Sequence, residues 1–173
     1  METVNVHELP INHPFSMILT GGRRSGKTFF TKTLLLRNER FVTPEIDWIF
    51  WFSPTERNDV FKELNQNLNN IEFVKGLPSE DLTDFVSKRH GSKLIVLDDL
   101  MEQASKRSDV DDLFTRGRHE NISVVFSCRM AFTRVNIFEK YLKTQNTSSG
   151  SRILAMRRRL FPIVYLPRQW VTL

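Results

Sequence analysis

The chain is short of several things, and each shortage narrows what it can be. It has a single cysteine, Cys128, in 173 residues. An internal disulfide framework is therefore excluded, and the composition suits a reducing compartment. No apolar run approaches the roughly 20 residues that a membrane-spanning helix needs. The opening residues, Met1-Glu2-Thr3-Val4-Asn5-Val6-His7, lack the basic and apolar regions of a secretory signal, so the expectation is an intracellular protein that is not secreted. His7, His13, His90 and His119 are scattered and offer no metal-ligand spacing with the one cysteine. Internal repeats and low-complexity tracts are missing. Acidic residues are almost missing from one end: Arg129 to Leu173 holds nine Lys or Arg and only Glu139 as an acid, a formal +8, against −3 for the residues before it.

What is present is ordinarily globular, with 40% hydrophobic and 26% charged residues. The length suits one compact domain across 1–173, with 1–14 as an extended lead-in and 129–173 as a basic C-terminal part of the same domain. The 14 phenylalanines fall mostly within candidate strands and helices and read as core. The lopsided charge favours a polyanion as partner. Arg152, Arg157, Arg158 and Arg159 are the candidate DNA contacts, and a solvated basic helix face explains the same residues.

Residues 21 to 28 read Gly-Gly-Arg-Arg-Ser-Gly-Lys-Thr and match G-x-x-x-x-G-K-[ST], the loop that cradles nucleotide phosphates. The chemistry accounts for each position. Gly21 and Gly26 allow backbone turns closed to residues with a Cβ, so that successive N–H groups can face phosphate oxygens. Lys27 supplies a mobile ammonium for the β- and γ-phosphates, and the Thr28 hydroxyl can ligate Mg²⁺. Gly22, Arg23, Arg24, Ser25 and Phe29 complete the candidate ATP-binding set. The flanks agree: Phe15 to Thr20 is a short apolar run that reads as a strand, and Phe29 to Leu36 reads as a buried helix whose positive end faces the anion.

Further along, Asp47 to Phe52 is aromatic and β-branched and predicts a buried strand. Residues 42–45 read as a connection. Val60, Phe61, Leu64 and Leu68 share a helical face. Ile71 to Val74 predicts a short strand. Ser79 is a plausible N-cap for a helix carrying Leu82, Phe85 and Val86, with Gly91 past its end. Strands are expected at 93–97 and 122–126, helices at 111–116, 136–143 and 151–160, and a last strand at 163–166. Strands alternating with helices predict an α/β layered fold with a mainly parallel sheet.

The strand Leu94-Ile95-Val96-Leu97 ends in Asp98-Asp99, the Walker B pattern. A buried strand delivers its carboxylates to the C-terminal edge of the sheet, where ligands bind. Asp98 is the candidate Mg²⁺ ligand and Asp99 the candidate that polarises the attacking water. A strand ending in a solvated acidic turn is the plainer reading. Ser127, at the end of the next strand, is a candidate γ-phosphate sensor or simply a strand cap. Arg116 and Arg118 stand between helix and strand. Each is a candidate arginine finger offered to a neighbouring subunit, a DNA phosphate contact, or a surface residue.

These residues together carry a resemblance. His13 to Gly21, Gly76-Leu77-Pro78, Asp98 to Met101 and Leu113 to Val124 resemble the genome-packaging ATPases of Polinton/Maverick elements and adintovirus-like viruses, which are similar to the poxvirus-type packaging ATPase of the FtsK/HerA superfamily. The likeness covers roughly residues 10–130. It implies a RecA-like, three-layer P-loop NTPase domain of the ASCE type. It further implies a homo-oligomeric ring that uses ATP and Mg²⁺ to drive double-stranded DNA, without sequence preference, into a capsid through a vertex or portal component. The setting would be the infected-cell nucleus or cytoplasm, or the virion. Two positions depart from the family: Glu120 stands where a second histidine is usual, and Arg129-Met130 where a Gln-Asn pair is usual. A P-loop phosphotransferase of the nucleotide-kinase kind, and a non-hydrolysing nucleotide-binding module that docks on capsid or DNA, remain the alternatives.

Overall fold

The computed structural model describes residues 11–55, 58–129, 151–154 and 163–167, the last two stretches by backbone alone. A two-stranded parallel ladder joins β1 (Ile11–Asn12) to β3 (Val42–Thr43). The main sheet has seven strands: β2 (Ser16–Thr20), β4 (Trp48–Ser53), β5 (Ile71–Lys75), β6 (Lys93–Asp98), β7 (Ile122–Cys128), β8 (Ser151–Leu154) and β9 (Ile163–Pro167). Their spatial order is β5-β4-β6-β7-β2-β9-β8. The first five run parallel, and β9 and β8 add to the far side antiparallel.

Every residue of β2, β6 and β7 is buried. That is why these strands read as continuous apolar runs: both faces of a parallel sheet are covered. Alternation along the strands then sorts the core into two halves. On one face Met17, Leu19, Ile49, Trp51, Leu94, Val96 and Val125 pack with Leu34 and Leu35 of α1 (Lys27–Leu36) and Leu64 of α3 (Asn58–Asn67). On the other, Ile18, Phe50, Phe52, Ile95, Leu97, Val124 and Phe126 pack with Leu82 and Val86 of α4 (Leu82–Ser87) and with Val110, Leu113 and Phe114 of α6 (Ser108–Arg116). Helix, sheet and helix make three layers, the α/β architecture of a P-loop NTPase that the sequence pattern leads one to expect. No helix among the described residues is long and apolar enough to cross a membrane.

Several local expectations need correction. The cap of α4 is Asp81, not Ser79: Asp81 Oδ1 accepts from the N–H of Thr83 at 2.8 Å and of Asp84 at 3.4 Å. A cap must adjoin the first helical residue, and Arg107 holds the preceding stretch outside the helix by donating to the carbonyls of Pro78 and Glu80. The helix expected over 151–160 is a strand where it is described. β8 pairs antiparallel with β9, Arg152 opposite Leu166, so pairing with a neighbour overrides the local pattern. Two short helices add to the expected elements: α2 (Asn38–Phe41), and α5 (Met101–Ala104) directly after the twin aspartates. The helix expected at 136–143 lies outside the described residues, as do Arg157, Arg158 and Arg159.

Candidate functional site

The topology fixes which strand ends meet. β7 lies between β2 and β6, and Ser127 is in register with Leu19 on one side and Asp98 on the other. The three parallel strands therefore end together, and the segments that leave them share one rim. Residues 21–26 form the loop from β2 to α1. The Ser25 N–H donates to the Gly22 carbonyl at 3.3 Å, and the Phe30 N–H to that of Gly26 at 2.8 Å. The left-handed turns fall on Gly26 (φ 86°) and Arg24 (φ 62°). The second corrects the expectation for Gly21: a non-glycine residue holds that conformation, at a cost of about 1–2 kcal/mol. The Lys27 ammonium is folded onto the loop, donating to the carbonyls of Gly21 (2.7 Å) and Gly22 (2.9 Å) and to Ser25 Oγ (3.3 Å).

Helix α1 differs from the others at its start. Each of the other described helices carries an acid in its first turn: Glu39, Asp59, Asp84, Glu102, and Asp109 with Asp111. α1 has none, and its N-cap, Gly26, has no side chain with which to satisfy the first N–H groups. The positive end of a ten-residue helix is thus left for an outside anion.

That end opens on a cavity of about 430 Å³ lined by Arg23, Arg24, Ser25, Gly26, Lys27, Thr28, Phe29, Asp98, Asp99 and Arg129. The volume is in the range of small-ligand sites. Four cationic and two carboxylate side chains line it, a formal +2, which complements a polyphosphate. Asp98 is 2% exposed. Asp99 sits at φ 61°, its N–H donating to the Ser127 carbonyl at 2.9 Å, and its Oδ2 is ion-paired with the Arg129 guanidinium. Burial pulls the Lys27 ammonium below its ordinary value, while Asp98 and Asp99 across the cavity pull the other way. The oxygens of Thr28 and Asp98 are hard donors among the lining residues, a set that suits Mg²⁺ completed by phosphate and water. Among the described residues no cluster of three or more His, Cys, Asp or Glu offers a metal cage. Phe29, 66% exposed at the mouth, lies beside Lys32, whose ammonium stands 5.5 Å from the ring centre.

Other candidates lie elsewhere. Ser127 is 1% exposed and is not part of the cavity wall; its hydroxyl has no hydrogen-bond partner among the described residues. Cys128 is a poor nucleophile, since burial pushes its thiol up to about 11. Arg116 ends α6 and Arg118 lies between it and the start of β7, at the opposite rim. Arg116 is largely exposed beside Asp112 at 3.8 Å. Neither reaches this chain's own cavity. Arg129 is the residue that sequence reasoning missed. The available signal was its place at the end of a parallel strand, directly after Ser127 and Cys128.

Three proteins described as DNA packaging protein OPG160, from Variola virus, Vaccinia virus (strain Copenhagen) and Monkeypox virus, are each 26% identical to this chain over 126 residues. The match covers 67% of this chain, 46% of the Variola and Vaccinia proteins and 41% of the Monkeypox protein, so the chain spans less than half the length of these relatives. A solved structure described as an ATPase aligns over 79% of this chain and 63% of its own, at 11% identity and a TM-score of 0.42. The family described as Poxvirus A32 protein matches residues 6–141, a span that holds the glycine loop, the twin aspartates and the strand that ends at Cys128, and the chain belongs to that family.

Proposed function

We propose that the chain is an ATP-hydrolysing motor that moves double-stranded DNA, packaging a viral or virus-like genome into a capsid. The observation that carries this reading is the cavity shared by the glycine loop, Lys27, Thr28, Asp98 and Asp99. The printed role of the poxvirus relatives, DNA packaging, supports the direction. In this reading residues 21–29 hold the triphosphate, and Thr28 and Asp98 hold Mg²⁺, which neutralises phosphate charge when bound. Asp99 takes the proton of a water whose oxygen attacks the γ-phosphorus. The bond from that phosphorus to the β–γ bridging oxygen breaks, and ADP leaves with the electron pair. Arg116 or Arg118, remote from the cavity of their own chain, would serve a neighbour in a ring. We place the chain with the packaging ATPases of Polinton-like elements in the FtsK/HerA superfamily, acting inside the infected cell or the virion.

ATP turnover by purified protein, with and without double-stranded DNA and beside a measurement of assembly state, tests the proposal. DNA-stimulated turnover is expected. Stimulation by a nucleoside monophosphate instead would point to a phosphotransferase. Neutralising Arg157, Arg158 and Arg159 should weaken DNA binding and flatten its salt dependence, since each phosphate-bound cation removed takes away about one unit of slope. A second reading, a nucleotide-gated docking module without turnover, draws on one observation: the Asp99 carboxylate is already engaged by Arg129. Tight ATP binding with no hydrolysis in the assembled, DNA-bound state would favour it.

A further inference from the structure

We propose that Arg129 is this chain's γ-phosphate sensor: it clamps Asp99 until a nucleoside triphosphate binds, draws its guanidinium away and frees the carboxylate. The inference rests on the nucleotide reading above and deepens it.

Four observations carry it. Arg129 and Asp99 are ion-paired in the lining of the cavity that Lys27 and Thr28 also line. Thr20 pairs with Cys128 in parallel register, so Arg129 leaves β7 beside Gly21, the residue that opens the phosphate loop. The Arg129 side chain is 60% exposed and that of Asp99 24%. The pair is therefore loosely solvated, weak enough to exchange for a stronger anion. The Asp99 backbone is independently fixed, through its N–H on the Ser127 carbonyl and its left-handed φ, so the residue stays at the rim when the arginine departs. A guanidinium fork fits two phosphoryl oxygens as well as it fits two carboxylate oxygens, and the doubly charged γ-phosphate outcompetes a single carboxylate. ADP lacks that group and leaves the clamp closed. Ser127, the sensor expected from sequence, has its hydroxyl under the sheet end and outside the cavity wall; its neighbour two positions on has the reach and the charge.

The test is equilibrium binding of Mg·ATPγS and Mg·ADP to wild type, Arg129→Gln, Arg129→Lys, Asp99→Asn and the Arg129→Gln/Asp99→Asn double variant. Arg129→Gln should weaken ATPγS on the order of 10-fold and leave ADP unchanged, because only the triphosphate loses a charge-assisted hydrogen bond. Arg129→Lys, which keeps the charge and loses the fork, should fall between. Asp99→Asn should bind ATPγS several-fold more tightly than wild type, because no clamp has to open, and this gain should vanish in the Arg129→Gln background. Equal weakening of both nucleotides by Arg129→Gln, or no weakening, overturns the sensor. A gain from Asp99→Asn that persists without Arg129 overturns the clamp, leaving only removal of a repulsive charge. Failure of wild type to bind either nucleotide would instead strike the nucleotide site itself, so the two failures are distinguishable.

Discussion

Where β2 and β7 begin, polar side chains are as close together as they are where those strands end, yet the two rims are chemically opposite. At the starting rim the groups satisfy one another. The Phe15 N–H donates to Ser123 Oγ at 2.9 Å, and Ser123 Oγ lies 2.6 Å from His13 Nδ1. His13 Nε2 stands 3.1 Å from Asn121 Oδ1, an acceptor. Facing an acceptor, Nε2 carries a proton, and Nδ1 shares a hydrogen bond with the serine hydroxyl whose direction follows the protonation of the ring. Nearby, Asp47 Oδ2 accepts from the Ser92 N–H at 2.7 Å, and Lys93 Nζ donates to the Gly91 carbonyl at 3.1 Å. Serine, histidine and asparagine elsewhere make nucleophilic sites, but here the serine is fully buried and its hydroxyl committed. At the finishing rim the buried hydroxyls of Thr20 and Ser127 have no partner among the described residues, α1 starts uncapped, and Arg24 and Asp99 hold left-handed backbone. Polarity that closes on itself builds the fold. Left-handed backbone occurs at both rims, at Asn121 as well as at Arg24 and Asp99, so what sets the finishing rim apart is polarity left open, above all the uncapped start of α1.

The contrast can be broken by substitution, and the largest effect belongs to the open rim. Asp99→Asn should cut ATP turnover about 10²–10⁴-fold, the usual worth of a positioned base, without weakening nucleotide binding. Single-turnover hydrolysis checks it, and normal turnover would reassign the role. Lys27→Ala should weaken nucleotide affinity about 10–100-fold, the worth of one charge-assisted phosphate interaction; an unchanged dissociation constant would remove Lys27 from the site. At the closed rim the effects change kind. Ser123→Ala should cost about 2–3 kcal/mol of stability, because it leaves the Phe15 N–H without its acceptor and breaks the bond to His13. Nucleotide affinity should not move, and urea unfolding beside a nucleotide titration reads both. The smallest effect is in pH. Burial holds His13 below its ordinary value, so the unfolded chain takes up this proton first. Its contribution to stability is complete above pH 6.5 and is lost as pH falls through 6.5 toward the lowered folded value. Urea midpoints at about pH 7.5 and about pH 5.5, on either side of the ordinary histidine value, should differ in wild type and less so in His13→Gln.

What was legible in the sequence follows the range of the interactions involved. The glycine loop and the twin aspartates are local patterns whose spacing dictates their chemistry, and four apolar residues before Asp98 announce a strand buried on both faces. The parallel sheet followed from such runs. What was hidden depends on partners distant in the chain. Arg129 meets Asp99 across 30 positions, and only strand order brings them together. Asp81 outranks Ser79 as a cap because Arg107 holds the carbonyls on either side of Ser79. Ser151 to Leu154 reads as helical until a partner strand is present to claim its amides.

That last pairing bears on more than secondary structure. β9 lies directly against β2, with Ile163 opposite Thr20, one residue before the phosphate loop. The C-terminal segment therefore flanks the strand that leads into the candidate nucleotide loop. Shortening the chain before residue 163 would uncover a bare row of amides and carbonyls along β2, and such a row recruits whatever strand comes near. Truncated versions should for that reason stick to one another, and their loss of ATP binding would say nothing about the loop itself.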